Sequence, residues 1–320
     1  MAVPQILRRE QIGPVRARRG SFRAAAAGPV LVRLRPGAFT TADEWANATP
    51  EERVITRARA LQAATTGGEP IFSHETAAAL HGLPLYRADR ERVHVIVADA
   101  RPGSALGTVR HRGELRSGDV VRVRGLLCTS LERTVADVAR TGTFEQAVVV
   151  ADAALRRQSV PRNGVYLVDR AEEFRAGARE IAHRSAQGVR RADRVLAFAD
   201  GRAQLPGESI SRIRLVELGF GRIRLQVRVD GPHGGVYWVD FALDDPGVES
   251  LGEFDGAIKY VDGRLLAGRS ALEAFDQEKQ REDWIRGRTQ RRLARWGWPH
   301  IDSADLLGRR LAAFGIVPPA

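Results

Sequence analysis

Apolar and polar positions change their period several times along the chain, and each change marks a predicted element. Val30 to Leu34 alternates with the two-residue period of a strand, and the Arg-Pro-Gly that follows reads as a turn. Before it, VRARRGSFRAAAA begins as a basic, helix-like part. A basic helix followed by a strand-turn wing suits a remnant winged helix-turn-helix, though one with too few helices to be complete. A solvated basic tail is the other reading of the same residues. In SHETAAALHGLP, Ser73 takes the N-cap position of a helix that Gly82 and Pro84 close. RVHVIVAD alternates and is β-branched, hence a strand, and VVRVRGLLCTS is a second. TSLERTVADVAR opens with Thr129 and Glu132 at capping-box spacing. TFEQAVVVADAALRR then puts Phe144, Val148, Ala151 and Leu155 on one helical stripe.

From about 165 to 203 the pattern predicts two Ala/Arg/Glu-rich helices broken near Gly188, reading as a bridge between the chain's halves. Beyond it the character changes. PGESISRIRLVELGFG is a helix with a proline start and a glycine stop, and IRLQVRVD, GGVYWVDFAL and VESLGEFD alternate as strands. The charged LEAFDQEKQREDWIRGRTQRRLARWG reads as one long helix, followed by a short WPHI strand and the capped helix DSADLLGRRLAAFG. The expected organisation is a basic segment over 1–44, an α+β module over 45–160, a helical linker over 161–205 and a second domain over 206–320.

Composition narrows the partners. The chain has 320 residues, a formal net charge of +11 and a pI near 10.9, a balance that favours an anionic partner such as DNA. The single cysteine, Cys128, allows neither an internal disulfide nor a zinc cluster and suits a reducing cytoplasm. No apolar run is long enough for a membrane span, and the N-terminus lacks a signal-peptide core. The seven histidines are scattered. None shows metal-ligand spacing to another histidine or to the cysteine, and His74 and His81 read as structural. GPHGG lacks the lysine and the strand–helix context of a phosphate loop.

The chemistry concentrates in the last third. With Asp245 and Pro246 at the centre of a hairpin turn, Asp240 faces Leu251, and Glu253 and Asp255 follow on the same side of the sheet. Val239, Phe241, Leu243 and Phe254 take the other side. Diagonal neighbours across two strands lie roughly 7–8 Å apart at Cβ, so Asp240 and Glu253 can hold one divalent cation between them. Oxygen-only ligands select Mg²⁺ or Mn²⁺. Glu208, in the first turn of the preceding helix, adds a third carboxylate. On an exposed sheet face the same acids would be ordinary solvated residues. The arginines of 281–295 suit a phosphate track or, equally, a solvated helix face.

At these residues segment 206–300 resembles the PD-(D/E)XK nuclease superfamily, in particular its very-short-patch-repair-like branch. The resemblance rests on Glu208 in PGESISRIR, Asp240 in WVDFA, Glu253 and Asp255 in GEFDG, Lys259, and the helix-then-GW stretch up to Trp298. It implies an α/β restriction-endonuclease-like domain, a mixed sheet flanked by helices, that cleaves phosphodiester bonds with Mg²⁺ or Mn²⁺. Asp240 and Glu253 would bind the metal, with Glu208 in support. The superfamily's usual lysine position is Asp255 here, and Lys259 takes the slot where that branch carries a basic group. Segment 70–157 resembles AbiEi-type antitoxins of toxin–antitoxin systems, through FSHETAAALHGLP and CTSLERTVADVARTGTFEQAVVVADAAL. That implies a regulatory module with DNA or a cognate toxin as partner.

Overall fold

The computed structural model describes residues 3–12, 15–18, 21–24, 29–89, 91–97, 103–105, 107–161, 164–256 and 271–319. Lys259, the basic group expected at the site, lies outside the described residues. The chain divides into two compact units, Met1–Ala199 and Asp200–Ala320. Both mix α and β structure, with sheets flanked by helices.

The first unit carries two sheets. The N-terminal one is antiparallel and five-stranded. Its members Val15–Arg18 and Ser21–Ala24 replace the expected basic helix, because Val15 and Ala17 alternate with Arg16 and Arg18 at the period of a strand. The expected strand and turn are present as Val30–Arg35 and Ala38–Thr41. The second sheet has six strands and is mixed. VVRVRGLLCTS supplies two of them, Val120–Val123 and Leu126–Thr129, since Arg124 and Gly125 both take positive φ and fold the run into a hairpin.

The helix Leu131–Thr141 is capped by the Ser130 hydroxyl rather than by Thr129, whose own hydroxyl bonds that of Thr134. Arg133 in this helix is buried and forms ion pairs with Asp119 and Asp137, each at 3.0 Å. The helices Val168–His183 and Val189–Phe198 flank Gly188 as expected. They belong to the first unit rather than to a bridge, and Arg184 joins Asp119 at 3.0 Å.

The second unit follows the predicted order of helix, three strands, helix, strand and helix. The helix Pro206–Glu217 precedes the strands Ile223–Asp230, Val236–Leu243 and Ser250–Phe254. The helix Ala271–Thr289 then leads to the strand Leu293–Trp296, and Ala304–Ala312 is the last helix. The long predicted helix therefore stops early, and Trp298–His300 is a 3-10 turn rather than a strand. The first three strands pair antiparallel and the fourth runs parallel to the third, giving a four-stranded mixed sheet. Parallel neighbours need a crossover, and Ala271–Thr289 supplies it. Its Ile285 packs on Leu251, Leu293, Ala242 and Val239.

The helix Pro206–Glu217 covers the other face at close range. Gly207 and Gly252 make that approach possible. A Cβ on Gly207 would lie 2.0 Å from the Phe254 ring, and one on Gly252 would lie 2.2 Å from the Trp296 ring. The buried Trp296 indole donates to Ser211 Oγ at 2.8 Å, tying helix to sheet. Glu208, one residue beyond Gly207, is thereby carried close to the strand that holds Glu253. The expected hairpin register is displaced by two residues. Leu243 pairs with Ser250 and Phe241 with Gly252, so Asp240 falls opposite Glu253 rather than Leu251. The connection spans 244–249, because the Asp245 carboxylate is drawn in to accept the backbone N–H groups of Gly221 and Arg222.

Gly207→Ala measures how much depends on this approach. Alanine gains at most about 1 kcal/mol of helix propensity over glycine, whereas overpacking a rigid ring costs about 1–3 kcal/mol. Urea unfolding is expected to show a net loss of roughly 1–2 kcal/mol. Equal or greater stability would contradict the packing described.

Candidate active site

Four strands and the helix Ala271–Thr289 of the second unit converge on a cleft of about 380 Å³. Its lining includes Gln226, Trp238, Asp240, Glu253, Asp255, Glu278, Arg281 and Arg295. Glu208 borders it through Gln226. Its carboxylate is buried, accepting the Gln204 backbone N–H at 2.9 Å and the Gln226 side-chain amide at 3.2 Å. The same amide nitrogen lies 3.4 Å from Asp240 Oδ1.

Asp240 occupies a structural gap as well as the cleft. The last regular pair of the second and third strands is Phe241 with Gly252. One residue further, Asp240 Oδ2 accepts the Phe254 backbone N–H at 2.9 Å, continuing the pairing through a side chain. Strand alternation is disturbed at the same place. Gln226, between the pairs Leu225–Phe241 and Val227–Val239, has φ +50°, a left-handed conformation that a non-glycine residue rarely adopts. This explains why Val239, expected beside Phe241, packs instead with Ala242, Leu251 and Ile285. Asp255 follows the third strand, lines the cleft, and donates its backbone N–H to the Trp296 carbonyl at 2.7 Å.

Glu253 is buried and paired twice. Arg281 Nη2 reaches its Oε1 at 2.5 Å, and Arg295 holds Oε2 at 2.8 and 2.9 Å. Glu278 completes the group by bridging both arginines. Burial works against the ionised form of Glu253. The hydrogen bonds and charges of Arg281, and then of Arg295, outweigh it and hold the pKa below the ordinary value. The arginines of 281–295 are therefore largely engaged within the unit. Arg291 pairs with Asp244, Arg286 with Glu282, and Arg292 donates to the Gly315 carbonyl.

Of the residues singled out from sequence, Glu208, Asp240, Glu253 and Asp255 come together. Gln226 and Glu278 were missed, and Arg281 and Arg295, expected on a phosphate track or a solvated helix face, instead pair with Glu253. The signal for Gln226 was present: folding IRLQVRVD back on VYWVDFAL about the GPHGG loop puts the lone amide across from Asp240. No comparable signal marks the pairing of Arg281 and Arg295 with Glu253, because it depends on the parallel crossover.

Comparison with known proteins adds a relationship without an activity. The chain is similar to two proteins of Mycobacterium tuberculosis, Uncharacterized protein MT2308 of strain CDC 1551 and Uncharacterized protein Rv2248 of strain H37Rv. Each is 32% identical over 181 residues, covering 56% of this chain and 60% of the relative. The chain thus matches less than two thirds of the length of these relatives. No family model matches it, and no solved structure does.

The ion pairs set a pH dependence. The pKa of Glu253 is lower in the folded protein, so its charge contributes stability above the ordinary value of 4.5, and this is lost as pH falls through the folded value. Replacing Arg281 and Arg295 together by alanine leaves a buried carboxylate uncompensated and is expected to cost about 3 kcal/mol or more near neutral pH. Unfolding by urea in acid, with Glu253 protonated, should show a much smaller difference. A difference independent of pH would refute the assignment.

Proposed function

We propose that the second unit is a restriction-endonuclease-like domain that hydrolyses phosphodiester bonds in DNA with Mg²⁺ or Mn²⁺. The observation that carries this reading is the convergence of Glu208 and Asp240, from different elements, on the one amide nitrogen of Gln226. Two carboxylate oxygens aimed at a single electron-poor atom are what a hard cation requires. Glu253 Oε1 has one guanidinium partner, Arg281, and so keeps acceptor capacity facing the cleft. The donor set therefore fits such a cation, with Asp240 and Glu253 as ligands and Glu208 in support.

When bound, the cation would polarise a phosphoryl oxygen and lower the pKa of a water. The chain's own residues supply the rest. Arg281 and Arg295 keep Glu253 ionised at neutral pH. The bond from Phe254 fixes Asp240 Oδ2, while Oδ1 meets the Gln226 amide in the lining of the cleft. Trp238, 54% exposed at the cleft, offers a flat surface on which a base can stack. The net charge of +11 favours a polyanionic substrate. Lys259 is the residue proposed to orient the water or stabilise developing charge. The first unit is proposed as an AbiEi-like regulatory module, contacting DNA or a cognate toxin.

A second reading rests on the double arginine clamp. Because Glu253 is already compensated by Arg281 and Arg295, the domain would bind DNA as a regulator without cutting it.

Cleavage assays on duplex, mismatched and single-stranded DNA separate the two. Metal polarisation supplies several kcal/mol, so Asp240→Ala and Glu253→Ala are each expected to lower Mg²⁺-dependent nicking at least about 100-fold while DNA binding persists. A wild type that cuts none of these with Mg²⁺ or Mn²⁺ would eliminate the nuclease reading.

A further inference from the structure

A second group of side chains, remote in sequence from the carboxylate cleft and wholly within the first unit, has a different donor chemistry. His94 lies in the strand Val93–Val97 and His111 in its parallel neighbour Thr108–Arg112. The register pairs His94 with Val109 and Ile96 with His111, so both histidines stand on one face. His74 opens the helix His74–Leu80, and its ring stacks on that of His111 with centroids 3.5 Å apart. His94 Nδ1 is 2.9 Å from His111 Nε2. One nitrogen from each of the three rings lies within 4.8 Å of the others.

Three observations go beyond proximity. The Glu75 carboxylate approaches the cluster, with Oε2 3.3 Å from His94 Nδ1, yet this oxygen is buried without a hydrogen-bond partner. A buried carboxylate oxygen left in that condition is costly unless something electron-poor joins it. The backbone of His74 has φ +51°, so its ring is brought to the cluster from a strained conformation. The Ser73 hydroxyl holds His74 Nδ1 at 2.9 Å, which leaves Nε2 to face the other rings.

We propose that His74, His94 and His111 form a transition-metal site, with Zn²⁺ as the cation it takes and Glu75 as the adjoining carboxylate. Three imidazoles are the donor set of a borderline cation and a poor one for Mg²⁺. Tetrahedral coordination at a Zn–N distance of about 2.0–2.1 Å places ligand nitrogens roughly 3.3 Å apart. The His94–His111 separation of 2.9 Å is already near this, and the nitrogen from His74 lies within 4.8 Å of both. Three nitrogens leave a fourth position for water or Glu75. The nearby pair of His81 and Cys128, 3.9 Å apart, is a weaker candidate, because burial pushes the thiol up to about 12.

The test uses the full chain, stripped with a chelator and titrated with Co²⁺ in excess Mg²⁺, so that the carboxylate cleft is not counted. The expected result is one equivalent of Co²⁺ with ligand-field absorption of a low-coordinate nitrogen site, displaced by Zn²⁺. His111→Ala and, separately, His94→Gln are expected to weaken it at least about 100-fold, since loss even of groups supporting metal ligands costs 10–100-fold. Asp240→Ala is expected to leave it unchanged. The site is overturned by absence of the spectrum in the wild type, by unchanged affinity in both histidine variants, or by loss in Asp240→Ala. Should a histidine variant fail to fold, ¹⁵N imidazole shifts of the wild type decide: Zn²⁺ must move those of all three histidines, and no movement overturns the site.

Discussion

The second unit depends on one hydrogen bond that no regular sheet would make. Where the ladder between Val236–Leu243 and Ser250–Phe254 ends, the Asp240 carboxylate accepts the Phe254 N–H at 2.9 Å. The side chain thus joins two strands at the edge of the cleft and places Asp240 across from Glu253. Its second oxygen is left toward Gln226 and, through it, toward Glu208. An unpaired buried N–H costs about as much as a lost hydrogen bond, so Phe254 gives the carboxylate a fixed place. The same residue meets Gly207 on the other face of the sheet. One strand end therefore sets the positions of the helix acid and of both strand acids.

Charge balance makes the cleft more than a row of acids. Asp240, Glu253, Asp255 and Glu278 share its lining with two guanidiniums, Arg281 and Arg295. The arginines compensate Glu253 and Glu278, which lets Glu253 be buried in ionised form. The convergence of Glu208 and Asp240 on Gln226 supports the nuclease reading, and the clamp on Glu253 supports its silent counterpart. The histidine cluster of the first unit carries opposite chemistry, neutral nitrogen donors in a buried pocket, and gives the chain two candidate cation sites of different hardness.

How far the sequence reaches is clear from particular residues. The carboxylate pair was legible because strand period is two: the hairpin register was misplaced by two residues, and an even slip keeps every side chain on its face. The odd residue was Val239, where the positive φ of Gln226 interrupts the alternation, a conformation no residue type announces. Helix ends were legible where glycine or proline punctuates them, as at Pro206 and Gly188. They were lost in RTQRRLARWG, whose charge hides a buried parallel strand. The basic N-terminal run was read by composition as helix, although its alternation already fitted a strand. The cluster of His74, His94 and His111 was invisible, because it is assembled by parallel strand pairing and a helix start rather than by local spacing.

The central claim is that Asp240 and its neighbours form a hard-cation site in the second unit. The most direct measurement is a titration of the full chain with Mn²⁺, following the paramagnetic resonance of the free ion, with Zn²⁺ present to fill the histidine cluster. The account predicts one Mn²⁺ bound per chain, displaced by Mg²⁺ and lost in Asp240→Asn, with binding retained in His111→Ala. A wild type that leaves all Mn²⁺ free, or an Asp240→Asn variant that binds it as tightly, would contradict the account.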